Sequence, residues 1–170
     1  MYRQALVPTA AAMLFAVPAW AGPEKVAFPP YQSHVRYLTR DRPDVKEVRD
    51  IYASVEAART AKAGQPLPSQ TVLTMVFFKA KVDEKGALVK DPNGRLVKGE
   101  LDRIGVMEKQ TGWGTEYGDD IRNGDWEYAV FRPDGTRNEK VNTKACFECH
   151  KPKSGQDFVI TFPELERAWK

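Results

Sequence analysis

"TVLTMVFFKAKV", residues 71–82, decides the fold. The stretch is dense in β-branched and aromatic residues and holds no glycine or proline, which is the composition of a buried strand. Side chains alternate along a strand, so Val72, Thr74, Val76 and Phe78 share one face. Leu73, Met75, Phe77 and Lys79 share the other.

The stretches after it repeat this strand character. "DEKG" at 83–86 and "DPNG" at 91–94 are turn signals. The short runs "ALVK" (87–90) and "RLVKG" (95–99) flank the second turn, which reads as a hairpin. "RIGVMEK" at 103–109 is a further strand, and "TGWGTEYGDDIRNG" at 111–124 is a loop. "DWEYAVFR" at 125–132 places Trp126, Tyr128 and Val130 on one face and Glu127, Ala129 and Phe131 on the other. Near the C-terminus, "DFVITF" (157–162) reads as a strand, and "PELERAWK" (163–170) as a short helix opened by Pro163.

Upstream the period changes. "RPDVKEVRDIYASVEAARTAKA" at 42–63 carries Val45, Val48, Ile51, Tyr52, Val55 and Ala58 at helical spacing, and Gly64 and Pro66 follow as stop signals. The expected class is therefore α+β, mainly an antiparallel β-sheet with a few helices. No repeat or composition break divides the chain.

Composition narrows the function. At 170 residues and 42% apolar, the chain can bury one domain-sized core. A net charge of +3 with interspersed signs excludes an electrostatic nucleic-acid binder. Arg3, the apolar run "ALVPTAAAMLFAV" (5–17) and the small-residue site "AWA" (19–21) have the layout of an export signal cleaved after Ala21. The run is shorter than the roughly 20 residues of a membrane span. The expected organisation is a signal peptide at 1–21 and a single periplasmic domain at 22–170, with no membrane span after processing.

"KACFECHKPK" at 144–153 contains both cysteines of the chain and one of its two histidines. Cys146-Phe-Glu-Cys149-His150 has the spacing of haem c attachment. Two thiols three residues apart on a helical turn reach the two vinyl groups of one porphyrin edge, and the adjacent His150 serves as the proximal metal ligand. One motif implies one covalently attached haem c. A redox disulfide needs no His150, and its usual βαβ setting is missing. A structural zinc site needs four ligands, which only distant His34 could complete.

Function then turns on the sixth iron position. Met75, Met107 and His34 are the available ligands in the mature chain, and each also has an ordinary structural reading. Without such a ligand the distal side is open and apolar, with Phe77, Phe78 and Phe131 as candidate walls. That iron would bind small molecules such as NO. With a ligand, the chain is a six-coordinate periplasmic electron-transfer cytochrome c.

From about Val45 to its end the chain resembles the cytochrome P-460 family, which includes cytochrome c′-beta. The carriers are "TVLTM" (71–75), "NGDWEYAVF" (123–131), "CFECH" (146–150) and "QDFVITF" (156–162). The resemblance implies an antiparallel sheet with one haem c packed on it, usually in a homodimer, and five-coordinate ferric iron. It implies NO or hydroxylamine as ligand or substrate, with an unspecified redox partner protein. It also replaces the helix at 42–63 by a strand around "EVRDIY" and a helix from about Ser54. Members that oxidise hydroxylamine carry a lysine–haem cross-link from a strand of the form TV-x-V-K. Met75 occupies that lysine position here, which tells against full activity, while Lys79 lies on the same strand face as Met75 and Phe77. Glu127, Asp125 and Glu139 are candidate bases, and Arg132 and Arg137 candidate propionate partners.

Overall fold

A computed structural model describes residues 25–169; the export-signal reading of 1–21 lies outside the described residues. Five strands run as a meander: β1 (Val35–Arg42), β2 (Glu47–Ala53), β3 (Thr71–Ala80), β4 (Lys98–Lys109) and β5 (Trp126–Phe131). Their spatial order is their sequence order, and every neighbouring pair is antiparallel. Three short helices complete it: α1 (Val55–Thr60), α2 (Lys144–His150) and α3 (Phe162–Leu165). The α+β class with a mainly antiparallel sheet is thus observed.

Residues 47–53 are strand, against the helical spacing of 42–63. Val48 and Ile51 are buried on opposite faces of the sheet, so their three-residue separation satisfies alternation as well as a helix turn. Pairing decides the matter: Glu47 to Ala53 match Lys79 to Leu73 residue for residue. Pro43 opens a 3-10 turn between β1 and β2, and Lys46 closes it at φ 52. Only Val55–Thr60 remains helical, as the family resemblance implies, burying Ala57 and Ala58.

The "DFVITF" strand is not formed. Asp157 and Phe158 hold φ of 49° and 61°, which no strand tolerates, and Val159, Phe162 and Leu165 pack into the core from a turn and α3. The hairpin around "DPNG" survives as one isolated bridge, Lys90 with Leu96, and a second bridge, Val82 with Leu88, closes the "DEKG" turn.

The two sheet faces are covered differently. On one, Ala53, Leu73, Met107, Trp126 and Tyr128 pack against Phe147 of α2, Leu165 of α3 and the alanines of α1. On the other, Val76, Ile104, Val106, Ala129 and Phe131 meet Val26 and Tyr31. Beside them, Val48 and Ala80 are capped by Leu96 of the hairpin.

Candidate functional site

Helix α2 is pinned by its own sequence. Phe147 is its buried residue, and its ring lies 4.9 Å from Tyr117 and 4.7 Å from Tyr128. Cys146 is half-buried and Cys149 exposed, and both are free thiols. Burial raises the Cys146 thiol above its ordinary value, and the neighbouring Cys149 adds to this. A loop clasps the helix from outside. Asn123 donates to the Phe147 carbonyl at 3.0 Å and to Tyr128 Oη at 2.9 Å. Lys151 Nζ donates to the Arg122 carbonyl at 2.7 Å and to that of Asp119.

His150 ends α2, with its ring 5.0 Å from that of Tyr128. Its Nδ1 pairs with the Phe158 carbonyl at 2.7 Å, which makes Nδ1 the protonated nitrogen, because a carbonyl only accepts. Nε2 then keeps its lone pair. Burial lowers the imidazole below its ordinary value, opposed by the Phe158 carbonyl, so the neutral, ligating form is favoured. Among the described residues no three His, Cys, Asp or Glu groups converge as a metal cluster.

The same sheet face carries an apolar row beyond the packed helices. Strand register sets Leu38, Ile51, Met75, Gly105 and Val130 side by side across all five strands. All but Ile51 are half-buried. Gly105 lets the Phe77 ring close over the sheet, since a Cβ there would lie 3.3 Å from Cε2 of Phe77. The next row is cationic. The Arg103 and Arg49 guanidiniums sit 3.9 and 4.9 Å from the Phe77 centroid, and Glu47 accepts hydrogen bonds from both. Lys79 follows at the strand end, exposed and 3.5 Å from Glu100.

The structure therefore gathers Cys146, Cys149 and His150 on one helix and sets Met75, Phe77 and Lys79 on the sheet face against which that helix packs. Phe78 and Phe131 lie on the opposite face, packed with Val76 and Val26, because strand alternation turns them away. They are corrected from candidate walls to core residues. Met107 is core beneath α2, and His34, half-buried just before β1, has an Nδ1 without a partner. Arg137 lies 5.1 Å from the Phe131 ring, again on the far face, and Arg132 holds the adjoining turn. Asp125 pairs with Arg122 and Glu139 with Arg137. Leu38, Ile51, Arg49 and Arg103 escaped sequence reasoning because their role comes from register; alternation in β2 was the one available signal.

Glu127 is fully buried on the opposite face, with Oε1 unpartnered and Oε2 accepting from the Tyr117 hydroxyl at 3.1 Å. Burial raises its carboxyl from 4.5 to about 7, with the Tyr117 bond opposing. The folded chain holds a proton that the unfolded chain releases, so stability is full below 4.5 and falls as pH rises through about 7. After discounting for solvent screening the loss is about 2 kcal/mol. Glu127→Gln should flatten this decline and raise the urea midpoint above neutrality. A pH–stability curve identical to that of the parent would contradict this reading.

A Cys-x-x-Cys-His helix seated on one face of an antiparallel sheet defines a class, that of sheet-built haem proteins of cytochrome type. The family profile described as Cytochrome P460 matches residues 30–161, and the chain belongs to that family. Among curated proteins no sequence matches it. Membership implies a haem cofactor, and the residues fit one. Two free thiols share a helix with a neutral imidazole whose Nδ1 is engaged, and an apolar row lies on the sheet face against which the helix packs.

Proposed function

We propose that the chain is an exported protein carrying one haem c, attached through Cys146 and Cys149, with His150 Nε2 on the iron and a distal side that takes NO or a hydroxylamine-type ligand. The observation that supports the reading is the Nδ1 bond to the Phe158 carbonyl, which leaves the Nε2 lone pair of His150 free for a metal. The bound haem would supply the Lewis-acidic, one-electron iron; the chain supplies position and polarity. Met75 and Phe77, flanked by Leu38, Ile51 and Val130, form the apolar surface offered to the ligand. Arg49 and Arg103, held by Glu47, set a positive rim beside it.

The resemblance aligns Met75 with the cross-linking lysine of hydroxylamine-oxidising members, and Lys79 lies near Glu100 at the strand end. This favours ligand binding over full hydroxylamine oxidation. A second reading keeps the Met75 thioether as a sixth ligand in an electron carrier, favoured by its half-exposed place on this face. In both readings the mature protein begins near Gly22 in the periplasm, and a homodimer is expected from the family.

Absorption spectra of oxidised, reduced and NO-treated protein test this. A high-spin ferric spectrum with rapid NO binding is expected. A low-spin spectrum would favour the second reading, and a colourless protein from a host with haem-attachment machinery would end both. Mass analysis of the digested haem peptide should find haem on the Cys146–Cys149 peptide alone; haem joined also to a Lys79 peptide would restore the oxidase reading.

A further inference from the structure

The turn after α2 holds two consecutive non-glycine residues in left-handed backbone conformation, Asp157 at φ 49 and Phe158 at φ 61. An aromatic residue keeps that conformation only where its surroundings impose it. Here three elements do so. From the end of β4, Lys109 Nζ donates to both carboxylate oxygens of Asp157, at 2.9 and 2.8 Å. From the segment before β3, the Leu67 N–H donates to Asp157 Oδ2 at 2.8 Å. The Phe158 ring rests on Gly124, where a Cβ would come within 3.2 Å of it. The ion pair is nearly enclosed, each side chain being 11% exposed.

The product of this arrangement is the direction of one carbonyl. Phe158 O meets His150 Nδ1 at 2.7 Å, and no other hydrogen bond from the described residues reaches that ring. We infer that Lys109 and Asp157 are positioning residues for His150: their ion pair fixes the Asp157–Phe158 turn, and the turn aims the carbonyl that sets the tautomer, tilt and basicity of the imidazole. The functional meaning rests on the haem reading above. A partner on the other ring nitrogen of a ligating histidine raises its donor strength, and losing such a partner changes metal affinity or activity by about one to two orders of magnitude. Buried ion pairs are poor stabilisers in themselves, which suits a pair whose product is geometry.

Lys109→Met combined with Asp157→Asn removes the clamp without leaving a lone buried charge, and Asn tolerates the left-handed turn. Lys109→Gln combined with Asp157→Asn, which leaves no buried charge and can keep the Leu67 bond, serves if the first pair fails to fold. The readouts are the iron–histidine stretching band in resonance Raman spectra and the midpoint potential of the purified haem protein. We expect the band to move to lower frequency and the reduced form to gain about tenfold, ~59 mV for one electron. Coloured protein with both readouts unmoved, whatever its melting temperature, overturns the clamp alone. A colourless parent protein overturns the haem reading and the inference with it.

Discussion

Serine at both Cys146 and Cys149 is expected to release all haem from covalent attachment. The two thiols are the only ones in the chain, and they lie three residues apart on α2, one half-buried and one exposed. That separation returns a side chain to the same side of a helix, so both sulfurs can face one porphyrin edge. His150 survives in the double variant, so a weakly held haem would still dissociate into acidified organic solvent while the parent keeps its pigment. Each single serine variant should retain one bond. Haem that stays with the chain after both replacements would place the attachment elsewhere, with Lys79 the first residue to inspect.

Trp126→Ala is expected to cost about 3–5 kcal/mol, comparable to the whole stability of a marginal domain. Trp126 is fully buried at the start of β5, in the cluster that includes Leu73, Met107, Phe147 and Leu165. Its ring lies 5.7 Å from Lys109 Nζ, so the cavity would open directly beneath the Lys109–Asp157 pair. Trp126→Phe should cost less, because much of the volume stays filled. Urea denaturation of the two variants checks this. A loss below about 1 kcal/mol for the alanine would mean that the core collapses into the space.

Strand alternation in 71–80 and 126–131 was legible, because period-two patterning with bulky residues leaves few other solutions. The short helix that carries Cys146, Cys149 and His150 was legible from three residues at fixed spacing. Residues 42–53 misled because Val48 and Ile51 fit both periods, and only pairing with β3, a non-local event, separates them. Phe78 and Phe131 were assigned by composition, although alternation already placed Phe78 away from Phe77. The Asp157–Phe158 turn had no local sign at all. No glycine marks it, and the residue that restrains it lies 48 positions away at Lys109. The cationic row beside Phe77 was hidden likewise, since Arg40, Arg49 and Arg103 become neighbours only through register.

The meander order of the sheet bears on the order of assembly. Each strand pairs with its sequence neighbour, so β1 to β5 can zip up in succession with short loop closures. Helix α2 follows β5 and needs the finished surface of Leu73, Met107 and Tyr128 before Phe147 can dock. The thiols of Cys146 and Cys149 therefore stay on a free tail until the sheet is complete. On the haem reading proposed above, that interval is when an attachment enzyme would reach both thiols, before docking of Phe147 leaves Cys146 half-buried.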